Sequence, residues 1–364
     1  LAQRIDSPRL RDRQWWVTFK RKLQSAVDKN KSLAPPTALE TSHATELTND
    51  QHADMVFSQN DLARIRQVCL EWAEAGEEPL ATLVAHRGKI VFHEAFGKKR
   101  DGRAMTIDTP TWMASITKLL TGVLMMQFVD QSLVDLDAPI QQYLPELQQA
   151  AGPKITLRHL FTHTNGLGWH GEWGSDWNPA LENYLSHCLP YLKVGAAFQY
   201  NRLGYALAGK IMERLSGRAV PYLFDDNILK PLGMANTFVD NTYGSVYSTC
   251  GDVARLGQML LNRGRYGKYR FFSEASFARM LPAKLDVINP QLDRKWGIGA
   301  SPLGGNGLSD QTFGHEAASG AILRIDPVSE LIIVSARDRA GATYETFAAR
   351  LIEACAAPLT KENK

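Results

Sequence analysis

The chain has 364 residues, 44% of them hydrophobic and 22% charged, the make-up of a globular protein with room for one deep-cored catalytic body and an appendage. No apolar run reaches bilayer-spanning length, which argues against an integral membrane protein. Net charge is only +3 and unevenly spread, with nine Lys or Arg against three Asp in residues 1–32 and four acids without a base in residues 33–56, so the main body carries no basic footprint for nucleic acid.

Residues 1–32 have helical propensity and a basic face with Trp15 and Trp16. They are compatible with a docked helix, with the tail of a lost upstream domain, and with peripheral membrane association through a surface helix. Residues 33–56, LAPPTALETSHATELTNDQHADMV, are rich in Pro, Thr, Ser and acids and read as a linker, so a catalytic domain is expected over 57–364. The chain starts at Leu1 rather than Met, the expectation for a processed or excised form.

From Ser58 to Ala75 the pattern is an amphipathic helix, with Ser58 three residues ahead of Asp61 as in a capping box. Two β-branched runs in 81-ATLVAHRGKIVFHEAFGK-98, split by Arg87-Gly88, predict a hairpin. Next, 110-PTWMASITKLLTGVLMMQFVDQSL-133 is apolar almost all the way round a helical wheel from Ile116 to Val129, as in a helix buried on every side. The middle of the chain is mostly helical and loop-rich. Near the far end, 320-GAILRIDPVSELIIVSARD-338 repeats the hairpin design around Asp326-Pro327, and a last helix runs from about Thr343 to Ala356. Strands from both ends with a helical middle predict an α+β fold. It should be an antiparallel sheet flanked by N- and C-terminal helices, with an inserted all-α subdomain over about residues 120–270. Cys69, Cys188, Cys250 and Cys355 have neither CxxC nor zinc-finger spacing and read as core thiols, with a Cys69–Cys355 disulfide left open.

Lys118 is the charge that does not belong in the buried run. A spacing of three sets it on the same helical face as Ser115, so hydroxyl and amine can touch. A serine needs something to take its proton, and a lysine can do so once burial lowers its pKa from about 10.4 toward neutrality. Ser115 at the helix start also sits where the macrodipole favours a developing oxyanion.

Beyond 115-SITK-118, the chain contains 135-DLDAPIQQYLPEL-147, 155-ITLRHLFTHTNGL-167, 198-FQYNRLGYALAGKIMERLSG-217, 229-LKPLGMANT-237, 248-STCGDVARLGQMLLNRGRYG-267 and 314-GHEAASGAILRIDP-327. In content and order these resemble the serine β-lactamase-like superfamily, in its class C β-lactamase, D-Ala-D-Ala peptidase and carboxylesterase branch. The resemblance implies a serine hydrolase working through an acyl-enzyme, without metal or cofactor, on a small-molecule or peptide acyl substrate. It implies that Ser115 is the nucleophile, Lys118 its proton partner and Tyr200 the tyrosine that acts as general base and acid, its phenol lowered by the Lys118 ammonium. Backbone N–H groups of Ser115 and Ala318 would form the oxyanion hole. An extracytoplasmic location, periplasmic or secreted, follows from the resemblance as well.

Two departures bear on substrate. Arg202 stands where the family's Tyr-x-Asn has its asparagine, and could repel the Lys118 proton, grip an anionic substrate or turn outward. In 315-His-Glu-Ala-317, His315 suits an esterase better than a β-lactamase lysine, and Ala317 replaces a glycine that lets substrate lie close to the strand. The loop 168–184 brings Trp169, Trp173 and Trp177, which either wall the pocket or plug the α subdomain. His159 and His163 read as structural residues of a turn rather than metal ligands, Trp112 as packing, and Asp252 as the cap of a helix over 253–262. Esterase-like activity is the first expectation, D-amino-acid peptidase activity the second and β-lactamase activity the last. The rival is a catalytically inactive binding or sensor protein on the same fold.

Overall fold

The computed structural model describes residues 33–40, 43–49, 56–76, 78–145, 154–167 and 192–362. The basic segment 1–32, the loop tryptophans Trp169, Trp173 and Trp177, and Cys188 lie outside the described residues. The helices that matter below are α1 (Gln59–Gly76), α2 (Ile116–Asp130), α3 (Leu157–Phe161), α4 (Leu203–Ser216), α5 (Cys250–Leu261) and α6 (Tyr344–Ala356). The strands are β1 (Leu80–His86), β2 (Lys89–Phe96), β3 (Ser301–Pro302), β4 (Phe313–Glu316), β5 (Ile322–Asp326) and β6 (Leu331–Ala336).

These strands form one six-stranded sheet in the order β3-β4-β5-β6-β1-β2, every neighbour antiparallel. Both chain ends feed it, as the two hairpin patterns predict. At the first turn, Arg87 and Gly88 have φ of 49° and 78°, the left-handed pair that a two-residue hairpin demands. Alternation along the strands sorts the core into two layers. Leu80, Val84, Ile322, Leu331 and Ile333 pack with Ile65, Val68 and Trp72 of α1 and with Leu351 and Ile352 of α6. Ala81, Leu83, Leu323, Ile325, Ile332 and Val334 pack the other way, in the cluster that holds α2, α4 and α5. Each such buried aliphatic side chain contributes about 1.5–3 kcal/mol. Ser58 caps α1 as expected, its amide donating to Asp61 Oδ2 at 3.1 Å while the Asp61 amide donates back to Ser58 Oγ at 3.3 Å.

Helix α2 runs through the second layer, and every residue from Ile116 to Val129 is buried. Its approach to the segment leading into β3 depends on two glycines. A Cβ on Gly122 would lie 2.1 Å from the Ile298 carbonyl oxygen, and one on Gly299 would lie 2.4 Å from that of Lys118. Backbone therefore rests on backbone directly beneath the lysine.

Three details depart from or refine the sequence expectations. Cys69, Cys250 and Cys355 are free and buried, so the Cys69–Cys355 bridge is not formed. Asp252 does not cap α5. Thr249 does, accepting from the Asp252 amide at 3.3 Å, while the Asp252 carboxylate turns inward to the Asn236 amide and the Thr237 hydroxyl. The described part of the stretch read as a linker is pinned to the body: Leu33 enters the core, Thr37–Ala38 pair with Tyr269–Arg270, and Thr48 exchanges backbone hydrogen bonds with Gly88 and Ile90 at the free edge of β2. The Leu33 side chain and the edge pairing decide this, and neither is visible as a pattern in a Pro- and Thr-rich stretch.

Candidate active site

Ser115 sits at the N-cap of α2, immediately after Ala114, whose φ of 39° is the left-handed conformation that a non-glycine residue adopts only under constraint. This tight turn is fixed by the Thr117 hydroxyl, which donates to the Ala114 carbonyl at 2.6 Å and accepts from the Val246 amide at 3.0 Å. One turn into the helix, Lys118 Nζ lies 3.1 Å from Ser115 Oγ and donates to the Tyr243 carbonyl at 2.7 Å. The Tyr243 carbonyl is itself held in place, because the Asn241 side chain accepts from the amides of Tyr243 and Gly244, each at 3.0 Å. Trp112 belongs to the same scaffold: its indole N–H donates to the Gly244 carbonyl at 2.7 Å.

Lys118 is 3% exposed. Burial, with a smaller push from the nearby Arg202 charge, lowers its pKa to about 7. Its Nζ lies 4.8 Å from the ring centroid of Tyr200 and 5.6 Å from that of Tyr205. Tyr200 lines the cleft with 47% of its surface exposed, and its phenol is pushed up to about 12 by burial of the hydroxyl end, against an opposing hydrogen bond to Ser115. That direction is opposite to the lowering expected from a neighbouring ammonium, because burial outweighs the hydrogen bond to Ser115.

Two imidazoles complete the floor. The His163 ring lies 4.4 Å from that of Tyr200, tilted to it, and meets Trp296 edge-on at 5.4 Å; its Nδ1 accepts from the Asn201 amide at 3.2 Å, which puts its proton on Nε2. His315, on β4, lies 6.3 Å from Tyr200, with Nδ1 2.6 Å from its neighbour's carbonyl, Glu316 O. Burial and the nearby Lys118 push the pKa of His315 down to about 3 and that of His163 well below the ordinary value, so both are neutral at working pH. His163 and Trp296 are site residues that the sequence reading did not assign to the cleft. The signal for His163 was its place in 155-ITLRHLFTHTNGL-167; Trp296 lies in no motif. His159 keeps a structural role, accepting the Thr156 amide through Nδ1 at 3.1 Å to cap α3.

Arg202, at the N-cap of α4, is half-buried with its guanidinium carbon 6.0 Å from the Tyr243 ring centroid. Asn201 does not replace the family's asparagine: its side chain accepts from Gly204 N at 3.3 Å and donates to the Gln199 carbonyl at 2.9 Å, serving the start of α4. After β4 the chain makes a tight turn in which Ala317 is buried and Gly320 N donates to Ala317 O at 2.7 Å. Ala318 is exposed on that turn. Among the described residues, neither its amide nor that of Ser115 donates a hydrogen bond.

A Ser-x-x-Lys pair at the head of a buried helix, with a tyrosine over the lysine and an antiparallel strand alongside, now has a counterpart among known proteins. A family profile described as Beta-lactamase matches residues 71–354. The chain belongs to the beta-lactamase family. This places it in the serine hydrolase superfamily that includes esterases, acyltransferases and D-Ala-D-Ala peptidases. The D-alanyl-D-alanine-carboxypeptidase/endopeptidase AmpH of Escherichia coli K12 is 26% identical over 264 residues, 59% of this chain and 68% of that one. Esterase EstB of Burkholderia gladioli is 30% identical over 176 residues, 42% of this chain and 44% of the esterase, so the match spans less than half of that relative. Among solved structures, EstCE1, described as a hydrolase with promiscuous acyltransferase activity, superposes with a TM-score of 0.70 at 17% identity, covering 82% of this chain and 99% of that one. At that identity the likeness speaks for the fold alone.

Proposed function

We propose that this member of the family is an esterase-like hydrolase that forms an acyl-enzyme on Ser115. In this reading the neutral Lys118 amine accepts the hydroxyl proton as Oγ bonds to the acyl carbon, and the oxyanion is held by the amides of Ser115 and Ala318. The bond to the leaving group then breaks, and the departing oxygen takes a proton from Tyr200, whose own proton is replaced from Lys118. Water reverses the sequence and releases the acid. The observation that carries the proposal is the 3.1 Å approach of Ser115 Oγ to a lysine whose pKa lies near 7.

The choice of ester rests on His315. A lysine at that position would present a positive charge to a substrate carboxylate; a neutral imidazole whose Nδ1 is taken up by the Glu316 carbonyl does not. Peptides ending in D-amino acids are the second substrate class, supported by the similarity to AmpH. An extracytoplasmic location is part of this reading. Among the described residues, no helix is long and apolar enough to cross a membrane. Hydrolysis of p-nitrophenyl acetate and butyrate, of a D-Ala-D-Ala peptide and of a chromogenic cephalosporin, measured side by side, tests the assignment. The short esters should give the highest kcat/KM, and Ser115→Ala should lower it by at least about 10³-fold. Turnover that survives Ser115→Ala, or a cephalosporin preferred over both esters, would contradict it.

A further inference from the structure

Arg337 follows directly on β6 and is 0% exposed, yet among the described residues its Nε, Nη1 and Nη2 all lack a hydrogen-bond partner. Buried guanidinium groups are normally paired, because an unpaired one forfeits hydration without compensation. Its guanidinium carbon stacks 4.4 Å from the ring centroid of Trp72, on α1. Three further donor atoms near it are closed off from solvent and without a partner among the described residues: Trp72 Nε1, Thr343 Oγ1 and Tyr344 Oη. The Trp72 and Tyr344 rings are 6.1 Å apart. A Cβ built on Gly76 would lie 3.0 Å from Arg337 Nη2 and 3.2 Å from Thr343 Oγ1, so these two groups face a common point at the end of α1.

The acids described beside Arg337 in the chain are already engaged elsewhere. Glu78 is taken by Arg339, which donates to Glu78 Oε2 through Nε at 3.0 Å and Nη2 at 2.7 Å. Asp338 is taken by Lys99 at 3.1 Å and by the Trp112 amide at 2.8 Å. Among the described residues, no acid pairs directly with Arg337; Glu78, already held by Arg339, acts on it only through its charge. A water molecule would satisfy some of the donors but not the charge, whereas an anion answers both. Thr343 is also the N-cap of α6 with no capping bond from its side chain, so the helix start adds a favourable dipole. Donors closed on all sides favour a spherical ion over a bulkier oxyanion.

We propose that Arg337, with Thr343, Tyr344 and Trp72, forms a buried binding site for a monatomic anion of the chloride type where α1, β6 and α6 meet. The site stands apart from the cleft, although the turn that carries Ala318 leans on it: a Cβ on Gly320 would lie 3.1 Å from Arg337 Cδ.

Bromide is the probe. Crystals of the whole chain soaked in sodium bromide should show an anomalous peak in direct contact with Arg337 Nη2 and Thr343 Oγ1. In solution, Tm in potassium chloride should exceed that in potassium gluconate of equal ionic strength by about 2 °C or more, saturating with chloride. Arg337→Met should abolish that difference while remaining as stable as the parent in gluconate. Absence of a bromide peak, with equal Tm in the two salts or a chloride effect that Arg337→Met retains, overturns the proposal in favour of buried water. If Arg337→Met does not fold, the anomalous map of the unaltered protein decides alone.

Discussion

Lys118 is the residue on which the chemistry turns, and its environment sets a pH dependence. A Lys118 pKa near 7, with His315 near 3 and His163 neutral, leaves the lysine as the group in the cleft that titrates close to neutrality. The account predicts that kcat/KM for a neutral ester rises with pH through about 7 and then levels. Arg202 contributes to the depression, so Arg202→Asn should let Lys118 hold its proton more tightly and move that limb to higher pH, which a pH-rate profile of the variant reads directly. Stability follows the same proton. Below about 7 the lysine is charged in both folded and unfolded chains and its full burial cost weighs on the fold; as pH rises from there toward the ordinary value of about 10.4, the unfolded chain alone keeps the proton and the cost fades. Lys118→Met should therefore raise Tm clearly at pH 6 and much less at pH 10, while abolishing turnover.

At the scale of elements, the site depends on α2 lying against the segment before β3, and that contact has room for no side-chain atom. Gly122→Ala would drive a methyl into the Ile298 carbonyl, and we expect it to cost about 2–4 kcal/mol, seen as a lower denaturation midpoint with unchanged m-value. Helix α2 and its Ser-Lys pair were legible in the sequence because burial on all sides and a three-residue spacing are local patterns. The Arg87-Gly88 hairpin was legible for the same reason. The partners that complete the site were not. The anchor for Lys118 is the Tyr243 carbonyl, a backbone atom that any residue could supply, and it comes from a segment 125 residues away. His163 read as a turn residue because its contact with Tyr200 is tertiary. Asp252 had the right composition for a cap, but Thr249, with the hydroxyl reach and extended backbone of an N-cap, took the position.

Across the whole molecule, the sheet, the terminal helices and the helical layer match what the strand and helix patterns predict, and Ser115, Lys118, His163, Tyr200 and His315, from four of the quoted motifs, come together in space. Residues 33–40 and 43–49 add a strap over the body that no motif announces. Leu33→Ser should lower Tm by several degrees without changing the pH profile of turnover, since the residue is buried in the core and belongs to none of the motifs that supply the catalytic side chains. Whether the assembled cleft holds a live nucleophile is the central claim, and one measurement addresses it most directly: intact mass spectrometry of the folded chain after exposure to an activated fluorophosphonate. The account predicts a single adduct that forms faster as pH rises through about 7 and is lost in Ser115→Ala. A folded chain that stays unlabelled, or an adduct that persists in Ser115→Ala, would contradict it.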